Sequence, residues 1–390
     1  MMKKILIVVA DSMPGGITSS AKNLIHLLHE NGHSVTLLNM ASDDNGFKDV
    51  DNETHRIYLC GMAQYWQLGS QNIKNCKNPM RKFGLALLGV VKKLTIRCGL
   101  WYRLIFFKMD KLSGFDAVLA FRQCEPCYYM ALHKTVSNKT IGFIHGEKKY
   151  MGDISSWDKY FEDFDYIACV SYYVRNEFSQ AYPDCADKFK CIYNSFDIDG
   201  IRRKAEELSN VDFSTDLTHL VTVARIENVF KQIDLIPLIC RQLIDKGLDA
   251  FHWYVVGDGP DLQKDMTLAQ ELGVADYITF TGMQSNPFPI LKNADLYVGT
   301  SKSEAYSMTI KEAHILGIPV LSFNYATAHE AIEDGVDGYI VDSDSKALAD
   351  KIEWLLADNR KELAKLQKST RERQVTNALP YSQLINIINK

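Results

Sequence analysis

Short, continuously apolar runs recur along the chain, separated by longer stretches in which apolar residues return every three or four positions. In the first half the runs fall at 5–10, 34–38, 117–121, 140–144, 166–170 and 190–193. In the second half they fall at 220–224, 253–257, 278–280, 296–298, 320–323 and 339–341. Runs without polar alternation are typical of strands buried on both faces. Helical spacing fills many of the gaps, as at 233–246, 307–316 and 347–357. The alternation predicts an α/β chain with parallel sheets covered by helices. Two such series predict two doubly wound, Rossmann-like domains, 1–195 and 196–370, joined near 194–200. Ligands of such domains gather at the carboxyl ends of the strands, and two facing domains would share one cleft there.

Composition narrows the class. The chain has 390 residues, 46% hydrophobic and 24% charged, with a net charge of -4. These values fit a folded two-domain protein and give no basic excess for nucleic acid. The apolar run after Lys3 and Lys4 is too short for a signal-peptide core. No uncharged apolar run of about 18 residues suggests a membrane span. The nine cysteines are scattered, and Cys124 and Cys127 form a C-x-x-C with no second pair at zinc spacing. Reduced thiols and a cytoplasmic chain are the expectation.

One segment departs from this balance. Residues 74–111 hold ten Lys and Arg residues against a single acid, Asp110, so this stretch carries +9 and the remainder -13. Leu87, Val91, Leu94, Cys98, Trp101 and Ile105 are spaced as one apolar stripe on a basic helix, with Tyr102, Phe106 and Phe107 beside it. Such a helix suits an anionic membrane surface at the inner face of the cell membrane. The alternative is that the stripe packs on the N-terminal sheet and the lysines are simply solvated.

Candidate chemistry lies at strand ends. After the run 296–298, Glu304 falls on a loop and Glu312 on the helix expected to open near Ser307. A helix start offers free N–H groups to a phosphate, and two carboxylates can hold hydroxyls. Arg225 ends one strand and Lys231 opens the next helix, a pair able to clamp a diphosphate. Gly257 allows a sharp turn, and Gly15 and Gly16 follow the first strand where a backbone can approach a ligand. Taken singly, each could be an ordinary surface or turn residue. No acidic pair at metal-ligand spacing accompanies these positions, so no metal cofactor is expected.

Together these residues resemble glycosyltransferase family 4, retaining enzymes of GT-B fold. Glu304, seven residues, Glu312, then Gly317-Ile318-Pro319-Val320 is similar to its signature, although Ala305-Tyr306-Ser307 replaces the usual glycine-containing loop. The resemblance implies that Glu304 contacts the donor sugar and Glu312 the ribose. It also implies that Ser307, Met308 and Thr309 hold phosphate, and that Gly282 and Met283 begin the base-binding loop. His145 would face the sugar, Arg225 and Lys231 would stabilise the leaving diphosphate, and Ser171 and Asn194 match cleft positions. The Arg–Lys spacing is one residue longer than is usual in the family. A C-terminal helix, within 371–390, is expected to return to the first domain.

The implied reaction moves a hexose or N-acetylhexosamine from a nucleoside diphosphate, UDP by preference, to a glycan or glycolipid acceptor. The final readings left open are a non-catalytic nucleotide-sugar-binding subunit at the membrane and a sugar-nucleotide epimerase on the same fold.

Overall fold

The structure, a computed structural model, describes residues 1–10, 15–41, 46–96, 100–209 and 211–390, with the side chains of Gln71 and Asp358 excepted. Residues 11–14 of the glycine loop, and Arg97 and Cys98 of the basic segment, lie outside the described residues. The chain divides into two units. One comprises Met1–Val170, Val174–Ser195 and Pro380–Lys390, the other Ser171–Tyr173 and Phe196–Leu379.

The first unit is built on seven strands: β1 (Lys4–Val9), β2 (Ser34–Asn39), β3 (His55–Tyr58), β4 (Leu112–Ala120), β5 (Thr135–Ile144), β6 (Tyr166–Cys169) and β7 (Phe189–Cys191). They lie in the order β3-β2-β1-β4-β5-β6-β7, every pair parallel. Ile5, Leu6, Ile7 and Val8 of β1 are wholly buried, which accounts for the unbroken apolar run. The helix Gly16–Glu30 follows β1 and packs Ala21, Ile25 and Leu28 into the same core. Leu384, Ile387 and Ile388 from the helix Ala378–Asn389 complete it.

The second unit has six: β8 (Thr218–Val223), β9 (Phe251–Val256), β10 (Ile278–Gly282), β11 (Leu296–Gly299), β12 (Val320–Phe323) and β13 (Gly338–Val341). Their order is β10-β9-β8-β11-β12-β13, again all parallel. Alternate residues enter opposite cores. Trp253 and Val255 of β9 join one cluster with Leu296 and Leu321, while Tyr254 and Val256 join the other with Tyr297 and Val320. Both faces are therefore covered, and the fold class is the doubly wound one that the pattern predicts.

Chain order along the second sheet reverses between β8 and β11, where Leu220 pairs with Leu296 and Val221 with Tyr297. In doubly wound sheets a ligand binds outside the carboxyl ends of the strands at such a reversal. In the first sheet the same reversal lies between β1 and β4.

The basic segment requires a correction. It forms the helices Pro79–Thr95 and Leu100–Ile105, but the predicted stripe does not share one environment. Leu87 and Leu94 are exposed, whereas Trp101 and Ile105 are buried. Tyr102 and Phe106 are buried too, and Trp101 donates its indole N–H to the Trp66 carbonyl at 3.1 Å. The first helix ends at Thr95 and the second begins at Leu100, and the second half of the stripe faces into the protein. Among the described residues no helix is long and apolar enough to cross a membrane.

Candidate active site

The loops after β8 and β11 are joined at several points. The Lys231 ammonium is paired with Glu304 Oε1, and Ser301 Oγ donates to the same oxygen at 2.9 Å. Thr300 Oγ1 donates to the Lys231 carbonyl at 2.7 Å, and Lys302 N–H to the Phe230 carbonyl at 2.7 Å. Thr327 Oγ1 holds the Glu304 carbonyl at 2.6 Å. The Glu304 carboxylate and its backbone are thus both fixed, at the reversal of strand order.

Arg225 lies two residues beyond β8, and its side chain is exposed. Among the described residues no hydrogen bond or ion pair engages its guanidinium. Lys231 does not open the helix as expected but sits in a turn four residues before the start of the helix Leu235–Asp245. Gln232, next to it, has φ 49, the only positive φ of a non-glycine among the described residues. A left-handed β-carbon costs about 1–2 kcal/mol, and such strain collects where a neighbouring side chain must be aimed.

That turn is held from below. The Asn228 N–H donates to Asp261 Oδ2 at 2.7 Å, and its amide donates to Asp265 Oδ1 at 2.8 Å. Asn228 Oδ1 in turn accepts the Asp234 N–H at 3.2 Å. Asp265 is fully buried, and burial pushes its carboxyl up to about 6. The glycines beside the turn also have a structural cause. A β-carbon at Gly257 would lie 1.9 Å from the Ala224 carbonyl oxygen, and one at Gly259 2.1 Å from that of Ile226. Their missing side chains make room for the backbone on either side of Arg225.

Beyond Glu304 the helix Met308–Ile315 begins at Ser307, whose side chain makes no cap hydrogen bond. The Ser307 hydroxyl is 3.4 Å from that of Thr309, which is 2.8 Å from the Tyr297 hydroxyl. The first turn therefore presents backbone donors without a side-chain cap, at the positive end of the helix dipole. Glu312 is half-buried one turn further on, and burial pushes its carboxyl up to about 7. Its carboxylate has no hydrogen-bond partner among the described residues. Gly282, with φ 70, accepts the Gly257 N–H at 3.0 Å, and Met283 beside it is exposed. In the following loop Asn286 binds the Lys204 carbonyl and Glu207 carboxylate, both at 2.8 Å, which anchors the loop to its neighbour.

Sequence reading placed Arg225, Glu304, Glu312 and the Gly282 loop around one crevice with Lys231; the structure pairs Lys231 with Glu304 and sets Arg225 two residues beyond β8. Sequence reading missed Asn228, Asp261, Asp265, Ser301 and Thr327, which hold these groups in place. A buried Asp on a polar helix leaves no pattern, because Asp265 looks like its solvated neighbours until Asn228 is seen against it.

The remaining positions belong to the first unit, except Ser171, which falls in the second. An added Cβ at Gly15 or Gly16 meets no heavy atom within 4 Å, and Gly15 leaves the helix Gly16–Glu30 without a side-chain cap. Ser20 Oγ donates to Asn194 Oδ1 at 2.6 Å. His145 follows β5 and rests against Phe121 and Phe143, with ring centroids 4.7 and 5.8 Å away. Its Nε2 is 2.8 Å from the Phe121 carbonyl oxygen, so Nε2 carries the proton. Burial lowers its pKa to about 4, and the ring is neutral at physiological pH. Ser171 is buried. Cys127 is buried with its thiol pushed up, a position suited to packing. Among the described residues no group of three or more His, Cys, Asp and Glu residues could hold a metal ion.

Comparison with known proteins bears on the family and the fold. Residues 204–373 match the family model of glycosyl transferases group 1. A lipopolysaccharide core biosynthesis glycosyltransferase, LpsE, of Rhizobium meliloti is 32% identical over 113 residues, 29% of this chain and 33% of that protein. The chain thus spans about a third of that relative's length. Two solved structures share the whole fold. A glycosyltransferase from Rickettsia africae aligns with TM-score 0.68 at 18% identity, over 99% of this chain and 96% of that one. A variant of S. aureus TarM in complex with fondaparinux, alpha-GlcNAc-glycerol and UDP aligns with TM-score 0.70 at 14% identity, over 100% of both chains.

Proposed function

We propose, from the match of residues 204–373 to the group 1 glycosyl transferases and from the GT-B fold, that the chain is a retaining, sugar-nucleotide-dependent glycosyltransferase. It transfers a hexose or N-acetylhexosamine from a nucleoside diphosphate, UDP in the first instance, to a lipid-linked or cell-surface glycan. The supporting observation is the joint between the loops after β8 and β11 at the reversal of strand order, where the Glu304 carboxylate is paired with Lys231 three residues before an uncapped helix start, while Arg225 lies exposed just beyond β8.

The roles follow from charge. A diphosphate lies against the helix start at Ser307, with Arg225 as its open cation. Lys231 leaves Glu304 to join it, which frees Glu304 for the hydroxyls of the sugar. Glu312 accepts from the ribose. Charge growing on the leaving oxygen is met by groups already in place, each worth about 3–4 kcal/mol in a dry site. With Glu304 engaged by sugar hydroxyls, the acceptor attacks from the face the diphosphate leaves, and the diphosphate takes its proton. Trapping a covalent glycosyl-enzyme would overturn that route. The first unit holds the acceptor, and the enzyme works in the cytoplasm at the inner membrane face.

A thermal-shift screen of sugar nucleotides tests the reading first, followed by transfer assays with the donor found. Arg225→Ala and Glu304→Ala should each lower turnover at least about a hundredfold while leaving the fold intact by circular dichroism. Activity should persist in a chelator, and the product should keep the donor's anomeric configuration by NMR. Donor binding without transfer to any acceptor would favour a regulatory subunit, and donor interconversion an epimerase.

A further inference from the structure

The helix Pro79–Thr95 is turned inside out with respect to a globular protein. The side that meets the chain carries Leu85, which is buried, together with Lys92, whose ammonium donates to the Leu68 carbonyl at 2.9 Å. Arg81 on the same side donates to the Tyr65 hydroxyl at 2.8 Å. The opposite side shows Met80, Phe83, Leu87, Val90 and Leu94, each between 53% and 87% exposed. At roughly 100° per residue these five fall within an arc of about 80°. The next helix and the residues just after it add exposed Leu100, Leu104 and Phe107. Scattered exposed apolar residues are ordinary. Five of them along one face of a single basic helix form a patch that needs an occupant.

Charge identifies the occupant. Lys77, Lys82 and Lys93 are exposed around the stripe, and the segment 74–111 has only Asp110 to offset ten basic residues. Two copies meeting stripe to stripe would each bring +9 to the contact. An anionic bilayer offers acyl chains to the stripe and headgroups to the lysines. We propose that Pro79–Thr95 lies in the interface of an anionic membrane, with Met80, Phe83, Leu87, Val90 and Leu94 entering the acyl boundary. This assigns a different set of residues from the one that spacing alone suggests. It rests on the membrane-facing part of the proposed function and not on the transfer chemistry.

Flotation of the full chain with liposomes tests it. The protein should rise with vesicles of phosphatidylglycerol and phosphatidylcholine and stay down with phosphatidylcholine alone. Replacing Phe83, Leu87 and Leu94 together by Ser should lower partitioning at least tenfold, with an unchanged melting curve because all three are exposed. Lys77→Gln, Lys82→Gln and Lys93→Gln should each lower it roughly fivefold at low salt. Flotation that ignores the serine variant, or equal binding to neutral vesicles, would overturn the inference. So would sedimentation showing a dimer or a protein complex that the serine variant dissolves. Sugar-nucleotide thermal shift on the same samples reads the transferase proposal separately. A shift without flotation sinks only the membrane docking, and flotation without a shift sinks only the donor reading.

Discussion

Glu312 combines burial with the lack of a hydrogen-bond partner among the described residues, and its carboxyl is raised to about 7 from an ordinary 4.5. The native chain therefore holds this proton more tightly than the unfolded one. The resulting stability is fully present below about pH 4.5 and is lost as the pH rises through about 7. Glu312→Gln should remove that dependence and add on the order of 1 kcal/mol near pH 8, read from urea melts at about pH 5 and 8. Equal gains at both values would mean that the carboxyl is ionised throughout. Ribose hydroxyls donate to the charged form, so donor affinity in the wild type should rise with pH across the same range. His145 shows the opposite case. Its place at a strand end was visible in the sequence, but its neutral state follows from burial against Phe143 of its own strand and Phe121 at the end of β4.

At the scale of elements, the turn from Arg225 to Leu235 is shaped by side chains beneath it. Asp265→Ala leaves the Asn228 amide without its acceptor in a buried place, and should cost about 1–3 kcal/mol. Its effect on turnover should appear as a rise in KM for the donor, since Arg225 and Lys231 lose their setting but not their charge. Asp265→Asn keeps an acceptor and should restore most of the loss; a variant that restores stability but not KM would separate the two roles. The same scale shows where the sequence was legible. Buried strands such as β1 and β9 stand out because nothing polar interrupts them. The edge strand β3 does not, because His55, Arg56, Ile57 and Tyr58 are all partly exposed and carry no apolar run. The outward stripe of Pro79–Thr95 was legible only in part, since Leu87 and Leu94 were placed on it and Met80, Phe83 and Val90 were not. Spacing reports which residues share a face, and only the fold reports whether that face looks in or out.

At the scale of the whole molecule, the first unit is closed by a segment that comes last in the chain. The Tyr381 hydroxyl reaches His33 Nε2 at 2.9 Å, and Gln383 Oε1 accepts the Tyr193 N–H at 3.0 Å. Leu384, Ile387 and Ile388 fill a core begun by Ile5 and Ile7. Removing Pro380–Lys390 should cost on the order of 5 kcal/mol of burial and lower the melting temperature of the first unit; a normal melt would show that the helix is dispensable. Gly257 and Gly259 carry the last consequence. Each admits a carbonyl from the strand-end loop within about 2 Å of where a β-carbon would sit. Neither position tolerates even alanine without moving that loop. A saturation screen scored by activity would rank both beside Glu304, as if all three met the substrate. Scored by the yield of soluble protein, the glycine variants would drop out of the folded fraction while Glu304→Ala remained in it.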